Sequence, residues 1–320
     1  MKISRYVDPR TSTAVLGLLA EDILVDARSA WALGISEFEL LPSYNATLFA
    51  NLENGSLEAL QKMTAEADPE LLQPFATPAA EAHLLPPVDA RSFRDFYAFE
   101  QHVRSARANR GLEMVPEWYQ APVFYFSNTA CISGAGSPVR RPPETNELDY
   151  ELELAVVIGR EGGDISAEAA DEYIAGFTIL NDWSARDIQR REMKVGLGPA
   201  KGKDFATSLG PWLVPPSALE NRRRWLPGRG YHYSLTMTAE VNGCEISRGS
   251  SAEMHWTFAE LIAEASRNTV LRPGDLIGSG TVGTGCLTEF PKGTYPWLQP
   301  GDVVTLKIEL LGELTTAVSQ

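Results

Sequence analysis

The chain has 320 residues, a formal net charge of −14 and an ordinary apolar share of 44%. Its length exceeds one typical domain and is ample for a buried core. The acidic balance argues against nucleic-acid binding as the main role but leaves anionic small molecules open, because local Arg and Lys side chains can hold them.

In chain order, residues 3–7 and 14–19 read as short strands, and residues 57–67 carry apolar side chains at helical spacing. The stretch 73–89, with Pro74, Pro78, Pro86 and Pro87, reads as a linker. It sets an expected boundary between a small N-terminal domain, residues 1–85, and a main domain, residues 86–320. Residues 94–110 are predicted as a charge-rich helix, and 117–141 alternate aromatic with turn residues. A strand is predicted over 148–158, its end Ala155-Val156-Val157-Ile158 being apolar enough for burial on both faces. A short helix over 167–173 precedes a β-branched strand, 174–180, which delivers Asn181 and Asp182 at its end. Then come a strand over 233–241, a turn at Asn242-Gly243 and a helix over 252–265. Pro273-Gly274-Asp275 and Pro300-Gly301-Asp302 carry the type II turn signature, each followed by an apolar strand. Strands dominate, so the expected class is mainly β (α+β), a roll or barrel with peripheral helices.

The chemistry gathers around the central strand. Glu151 and Glu153 are two apart and so share one strand face, with Leu152 and Leu154 packing behind. Two like charges at the mouth of a buried strand repel each other and resist desolvation. A hard divalent cation with oxygen ligands relieves both. A lone Glu-x-Glu is more often a solvated strand face, so the reading depends on its company. Asp95 and His102 are seven apart. On one helix they would share a face, with the imidazole about 10 Å along from the carboxylate. The bland alternative is an acidic helix start. Carboxylates alone favour Mg²⁺ or Ca²⁺, with Mn²⁺ as a further candidate.

Several patterns exclude other chemistries. Gly278-Ser-Gly280-Thr-Val-Gly283 matches the dinucleotide fingerprint, but Gly285, Pro291, Gly293 and Pro296 follow where a helix is required. It reads as a glycine-rich turn with close backbone approach. Residues 198–204 lack the glycine spacing and the Ser or Thr of a phosphate loop. No Gly-x-Ser-x-Gly elbow anchors a serine triad, and none of the four histidines forms a His-x-x-x-His pair. Cys131, Cys244 and Cys286 form no Cys-x-x-Cys pair, and so sparse a set fits a reducing compartment. The early charges at the N-terminus are unlike a signal peptide. No apolar run nears the ~18 residues of a membrane span. A cytoplasmic protein with no membrane partner is expected.

Longer blocks carry a resemblance. Asp95-Phe-Tyr97 with Gln101-His102, Tyr125 through Ser-Pro-Val-Arg140-Arg141-Pro, and Glu151-Leu-Glu153-Leu-Ala occur in order. Asn181-Asp182-Trp-Ser-Ala-Arg186-Asp-Ile-Gln189, Gly198-Pro…Lys203-x-Phe205, Leu271-Arg-Pro-Gly-Asp275 and Ser279-Gly-Thr281 follow. Together, over about residues 90–290, they resemble the fumarylacetoacetate hydrolase family. The resemblance implies that family's roll-type catalytic domain after a small, partly β, SH3-like N-terminal domain, and a homodimer. It implies four ligands for Mg²⁺ or Ca²⁺: Asp95, Glu151, Glu153 and Asp182. His102 is implied as the base for water, oriented by Glu289, for whose slot Thr288 competes. Arg186, Gln189, Lys203 and Thr281 match residues that contact the substrate and its developing oxyanion, and Tyr97 and Tyr125 match pocket tyrosines. There are departures. The interval from His102 to Trp118 is shorter, so Arg107 or Arg110 could serve the substrate carboxylate. Met193 and Lys194 stand where a pocket tyrosine is expected.

The implied activity is metal-dependent hydrolysis of a carbon–carbon bond in a β-diketo acid, such as fumarylacetoacetate or an acylpyruvate, in aromatic catabolism. The alternative is a lyase, isomerase or hydratase of 2-oxo acids, for example one that decarboxylates oxaloacetate, since function resides in the site rather than the fold. Having both Asp95 and His102 favours hydrolysis, and it argues against a third reading, a non-catalytic metal-stabilised binding protein.

Overall fold

The computed structural model describes residues 1–109 and 111–320. A 12-stranded sheet forms its spine. Its path runs from Ala76–Pro78 through Ile23–Asp26, Thr13–Ala20, Ile3–Asp8, Thr207–Val214 and Ile174–Asp182. It continues through Leu152–Ile158, Leu276–Gly278 and Phe93–Phe96 to Phe124–Ser127 at the other edge. A five-stranded sheet, in which Thr236–Val241 and Val303–Ile308 are neighbours, covers one face. The mainly β expectation with peripheral helices holds.

Strand Leu152–Ile158 explains how the layers form. All seven residues are buried, as the apolar run predicts. Alternation sends Leu152, Leu154, Val156 and Ile158 into the core shared with the second sheet, where they meet Phe177, Met237 and Leu306. Ala155 and Val157 enter the opposite core with Phe93, Leu180, Leu209 and Leu276. Each buried Leu, Val or Ile contributes about 1.5–3 kcal/mol relative to exposure.

Residues 1–85 contribute to that second core. Ile3, Leu16 and Leu18 lie in it, as do Leu48 of helix Tyr44–Glu53 and Leu57 and Leu60 of helix Ser56–Glu66. Ile3 pairs with Leu213, so the N-terminal strands extend the main sheet. Packing therefore runs unbroken across residue 85. The proline-rich stretch is more ordered than a linker. Ala76–Pro78 pairs with Ile23–Asp26, and His83–Leu85 with Ile3–Asp8. Pro78 is tolerated because it ends an edge strand, where no ladder N–H is needed.

The largest correction concerns residues 94–110. Phe93–Phe96 is a strand, and the helix begins only at Glu100, running to Ala108. Phe-Arg-Asp-Phe is buried throughout, with Phe93 and Phe96 in opposite cores, and it pairs in parallel with Leu276–Gly278. Tertiary pairing outweighs the local helical pattern. Asp95 and His102 therefore do not share a helix face. Shorter adjustments occur elsewhere. Residues 167–173 give only a 3-10 turn, Ala170–Tyr173. The helix expected over 252–265 is Phe258–Ser266. It starts there because the Thr257 hydroxyl accepts from the Glu260 N–H at 3.2 Å while Glu260 Oε2 accepts from the Thr257 N–H at 2.8 Å. Both Pro-Gly-Asp turns place glycine at positive φ, +93° at Gly274 and +100° at Gly301. No described helix is long and apolar enough to cross a membrane.

Candidate metal centre and acid–base pair

Strand alternation builds the carboxylate cluster. Asp95 lies two residues beyond Phe93, Asp182 two beyond Leu180, and Glu153 two before Ala155, so each shares a face with a residue of the second core. Leu152 pairs with Asn181 and Glu153 with Leu180, which sets Glu151 opposite Asp182. One oxygen from each of Asp95, Glu151, Glu153 and Asp182 falls within 4.8 Å of the others, and all four residues are buried. Acidic side chains from three separated segments thus converge.

Glycine makes room for this. A Cβ on Gly278 would lie 2.4 Å from Asp95 Oδ1 and 3.2 Å from Glu153 Oε2. Gly280, at φ +77°, brings its backbone against the Phe96 carbonyl, and its N–H donates to Glu153 Oε2 at 3.1 Å. Thr281 Oγ1 donates to Glu153 Oε1 at 3.4 Å. The fingerprint-like glycines are the close-approach turn expected, and they border the acids. Gly278→Ala should displace the Asp95 carboxylate and cost about 1–3 kcal/mol by overpacking. Urea denaturation with and without Mg²⁺ checks this. Unchanged stability together with an unchanged Mg²⁺ response would show that the glycine is dispensable.

Charge is crowded here. Burial, then the neighbouring Asp182, pushes the Asp95 carboxyl well above its usual range. Burial, then Asp95, does the same to Glu153. Burial also raises Asp182, against the opposing pull of Lys203. Burial acts to raise Glu151 too, but Lys203 and Arg186 outweigh it and draw its carboxyl down to about 2. The Lys203 ammonium bridges Glu151 and Asp182, at 2.6 Å from Asp182 Oδ2. Tyr125, across from Asp95 in the sheet, donates its hydroxyl to Asp182. Asp95 Oδ1 and Asp182 Oδ1 are buried with no hydrogen-bond partner. Around the cluster, Asp95, Asp149, Glu151, Glu153 and Asp182 face two buried cations, Lys203 and Arg186. Orphaned oxygens and surplus negative charge together fit a divalent cation with oxygen ligands.

The second half of the site is an imidazole–carboxylate pair. His102 Nδ1 lies 2.7 Å from Glu289 Oε1, with side-chain exposures of 6% and 2%. Glu289 Oε2 accepts from the Thr284 N–H at 3.1 Å. Glu289, not Thr288, fills the slot beside His102. The two halves are connected. Glu289 ends the turn Leu287–Glu289, whose Leu287 and Thr288 N–H groups donate to Asp149 at 2.8 and 3.2 Å. Asp149 accepts from Arg186 Nε at 2.8 Å, and Arg186 Nη2 is 2.8 Å from Glu151 Oε1. His102 in turn acts on Glu151 through space, favouring its charged form. Gln189 Oε1 accepts from Arg186 Nη1 at 3.1 Å. The Tyr97 ring meets the His102 ring edge-on, centroids 5.3 Å apart.

The sequence reading missed Asp149 and gave Asn181 no role. Asn181 Oδ1 accepts from the Glu151 N–H at 2.9 Å. Asp149 extends the same alternation, Asp149-x-Glu151-x-Glu153, and that spacing was the available signal. Of the two carboxylate-binding arginines considered, Arg107 donates to the Glu113 carbonyl. Arg110 lies outside the described residues.

A mainly β protein with a buried four-carboxylate centre beside an imidazole–carboxylate pair is the class that fold and site define. The family model described as fumarylacetoacetate (FAA) hydrolase, C-terminal, matches residues 91–319. The chain belongs to the fumarylacetoacetate hydrolase family. Mouse fumarylacetoacetase is 33% identical over 272 residues, covering 73% of this chain, which spans 64% of the mouse protein's length. The oxaloacetate tautomerase of Bacillus subtilis is 34% identical over 201 residues, 62% of this chain and 61% of that protein. The structure of fumarylpyruvate hydrolase from Pseudomonas aeruginosa, in complex with Mn²⁺ and pyruvate, superposes with a TM-score of 0.58 at 25% identity, covering 74% of this chain and 91% of that one. The proteins this chain resembles thus include both hydrolases and a tautomerase.

Proposed function

We propose that this enzyme hydrolyses a carbon–carbon bond in a β-diketo acid of the fumarylacetoacetate or acylpyruvate kind, in aromatic catabolism. Asp95, Glu151, Glu153 and Asp182 would hold Mg²⁺ or Ca²⁺, with Mn²⁺ the next candidate. The observation that carries this reading is the buried His102–Glu289 pair joined to the carboxylate cluster through Asp149 and Arg186. Enolisation of a 2-oxo acid does not require a water-activating base at that place.

When bound, a divalent cation supplies Lewis acidity that polarises the substrate carbonyls. Glu289 engages His102 Nδ1 and so leaves Nε2 to take a proton from water. The resulting hydroxide adds to the carbonyl carbon, while Arg186, Gln189 and Lys203 stabilise the charge that develops on its oxygen. The carbon–carbon bond then breaks, its electron pair leaving with the enolate fragment. His102 returns its proton to that fragment, and the other fragment departs as a carboxylic acid. Tyr97, Tyr125 and Thr281 shape the substrate's place.

The second reading, a lyase, isomerase or hydratase of 2-oxo acids, draws on the 34% identity to a tautomerase. Purified protein with Mg²⁺ should cleave at least one member of a panel of acylpyruvates and fumarylacetoacetate, followed by loss of diketone absorbance. If none is cleaved while oxaloacetate is tautomerised or loses CO₂, the second reading replaces the first. A cytoplasmic homodimer without nucleic-acid or membrane partners completes the proposal. Light scattering that returns the mass of one chain would remove the dimer.

A further inference from the structure

Cys286 has no part in the chemistry above, yet its Sγ lies 3.6 Å from Glu289 Oε1, the atom 2.7 Å from His102 Nδ1. One ligand atom from each of His102, Cys286 and Glu289 falls within 4.8 Å of the other two. The donors are thiol sulfur, imidazole nitrogen and carboxylate oxygen, whereas the neighbouring cluster offers oxygen alone. Ligand softness separates the cations the two would take, since thiolate and imidazole suit Zn²⁺-like ions while oxygen suits Mg²⁺ and Ca²⁺. Tetrahedral Zn²⁺, with sulfur at about 2.3 Å and nitrogen or oxygen at about 2.0 Å, sets its ligand atoms roughly 3.3–3.6 Å apart. The sulfur–oxygen separation already matches, and the nitrogen–oxygen pair needs to open by about half an ångström.

We propose that His102, Cys286 and Glu289 form a second cation site, selective for soft divalent ions such as Zn²⁺ and Cd²⁺, whose occupation disables His102. Burial, then nearby Asp149, raises the Cys286 thiol, so the ion-free protein keeps it protonated. Occupation releases the thiol proton to solvent and shifts the His102 proton from Nδ1 to Nε2, which leaves the ring no free lone pair for a proton from water. Binding rests on the geometry alone, and the inhibition rests on the reading of His102 as the base.

The test uses the full chain with Cys131 and Cys244 replaced by serine, so that Cys286 is the sole thiol, in excess Mg²⁺. Titration with Cd²⁺ should raise an ultraviolet thiolate-to-cadmium charge-transfer band that saturates at a single equivalent. Adding Cys286→Ser should abolish the band and leave Mg²⁺-supported turnover unchanged. Cys286→Ala serves the same purpose if serine lowers the melting temperature. The inhibition constant for Zn²⁺ should rise at least about tenfold in the same variant, since even supporting residues of metal sites are worth about 10–100-fold. No band with Cys286 present, or a band that survives its replacement, overturns the proposal. A band without inhibition leaves the site standing and instead removes His102 from the mechanism.

Discussion

His102→Ala is expected to lower turnover of the cleaved diketo acid by about 10²–10⁴-fold, the usual worth of a positioned general base. The effect should fall on kcat, because His102 is not among the carboxylates that would hold the cation. Stabilisation by Mg²⁺ in thermal melts should survive the change. Glu289→Gln should follow in the same direction, since an amide can neither support an imidazolium nor fix the tautomer as the carboxylate 2.7 Å from Nδ1 does. A panel assay on both variants decides. Cleavage at the parental rate in His102→Ala would take the imidazole out of the reaction and shift weight to the tautomerase-like reading.

Asp95→Asn is expected to act in opposite directions on the metal-free and metal-loaded protein. Without the ion, Asp95 and Glu153 are two buried acids with oxygens within 4.8 Å of each other, each pushed up chiefly by burial and then by neighbouring carboxylates. An amide at position 95 removes one acid and donates an N–H to the other. The metal-free protein should gain about 1.5–3 kcal/mol, the scale of a hydrogen bond to a charged group. The loaded protein should lose its advantage. Saturating metal at about 100 times Kd stabilises a single site by roughly 2.7 kcal/mol, and most of that should vanish with one ligand charge gone. Melting curves with EDTA and with Mg²⁺ measure both halves. Lower stability under EDTA would mean that the cluster is held by hydrogen bonds rather than strained by like charge. This contrast separates a metal centre from a structural acid network.

Much of the site was legible in the sequence because strand geometry is local. Two-residue alternation put Glu151 and Glu153 on one face without any tertiary information, and the run after them announced a doubly buried strand. The β-branched stretch ending in Asn181-Asp182 likewise forecast a strand that delivers an acid at its tip. Asp95 was the right residue assigned to the wrong element. Its neighbours carry helical spacing for a charged surface helix, and only pairing with Leu276–Gly278 and Phe124–Ser127 makes Phe93–Phe96 a strand. The prolines of 73–89 suggested a linker because strand pairing with residues some 50 or 80 positions away leaves no local mark.

The sequence by itself determined which side chains alternate, where turns must hold glycine at positive φ, and that acids too numerous for a bare apolar core stand at the ends of buried strands. Tertiary structure alone decided that those strand ends meet. It brought Glu289 to His102 across 187 positions and Asp149 to Arg186 across 37. The physical reason is that sheet registry and core packing, which are collective, fix distances between segments, while the side-chain pattern of one segment fixes only its own faces.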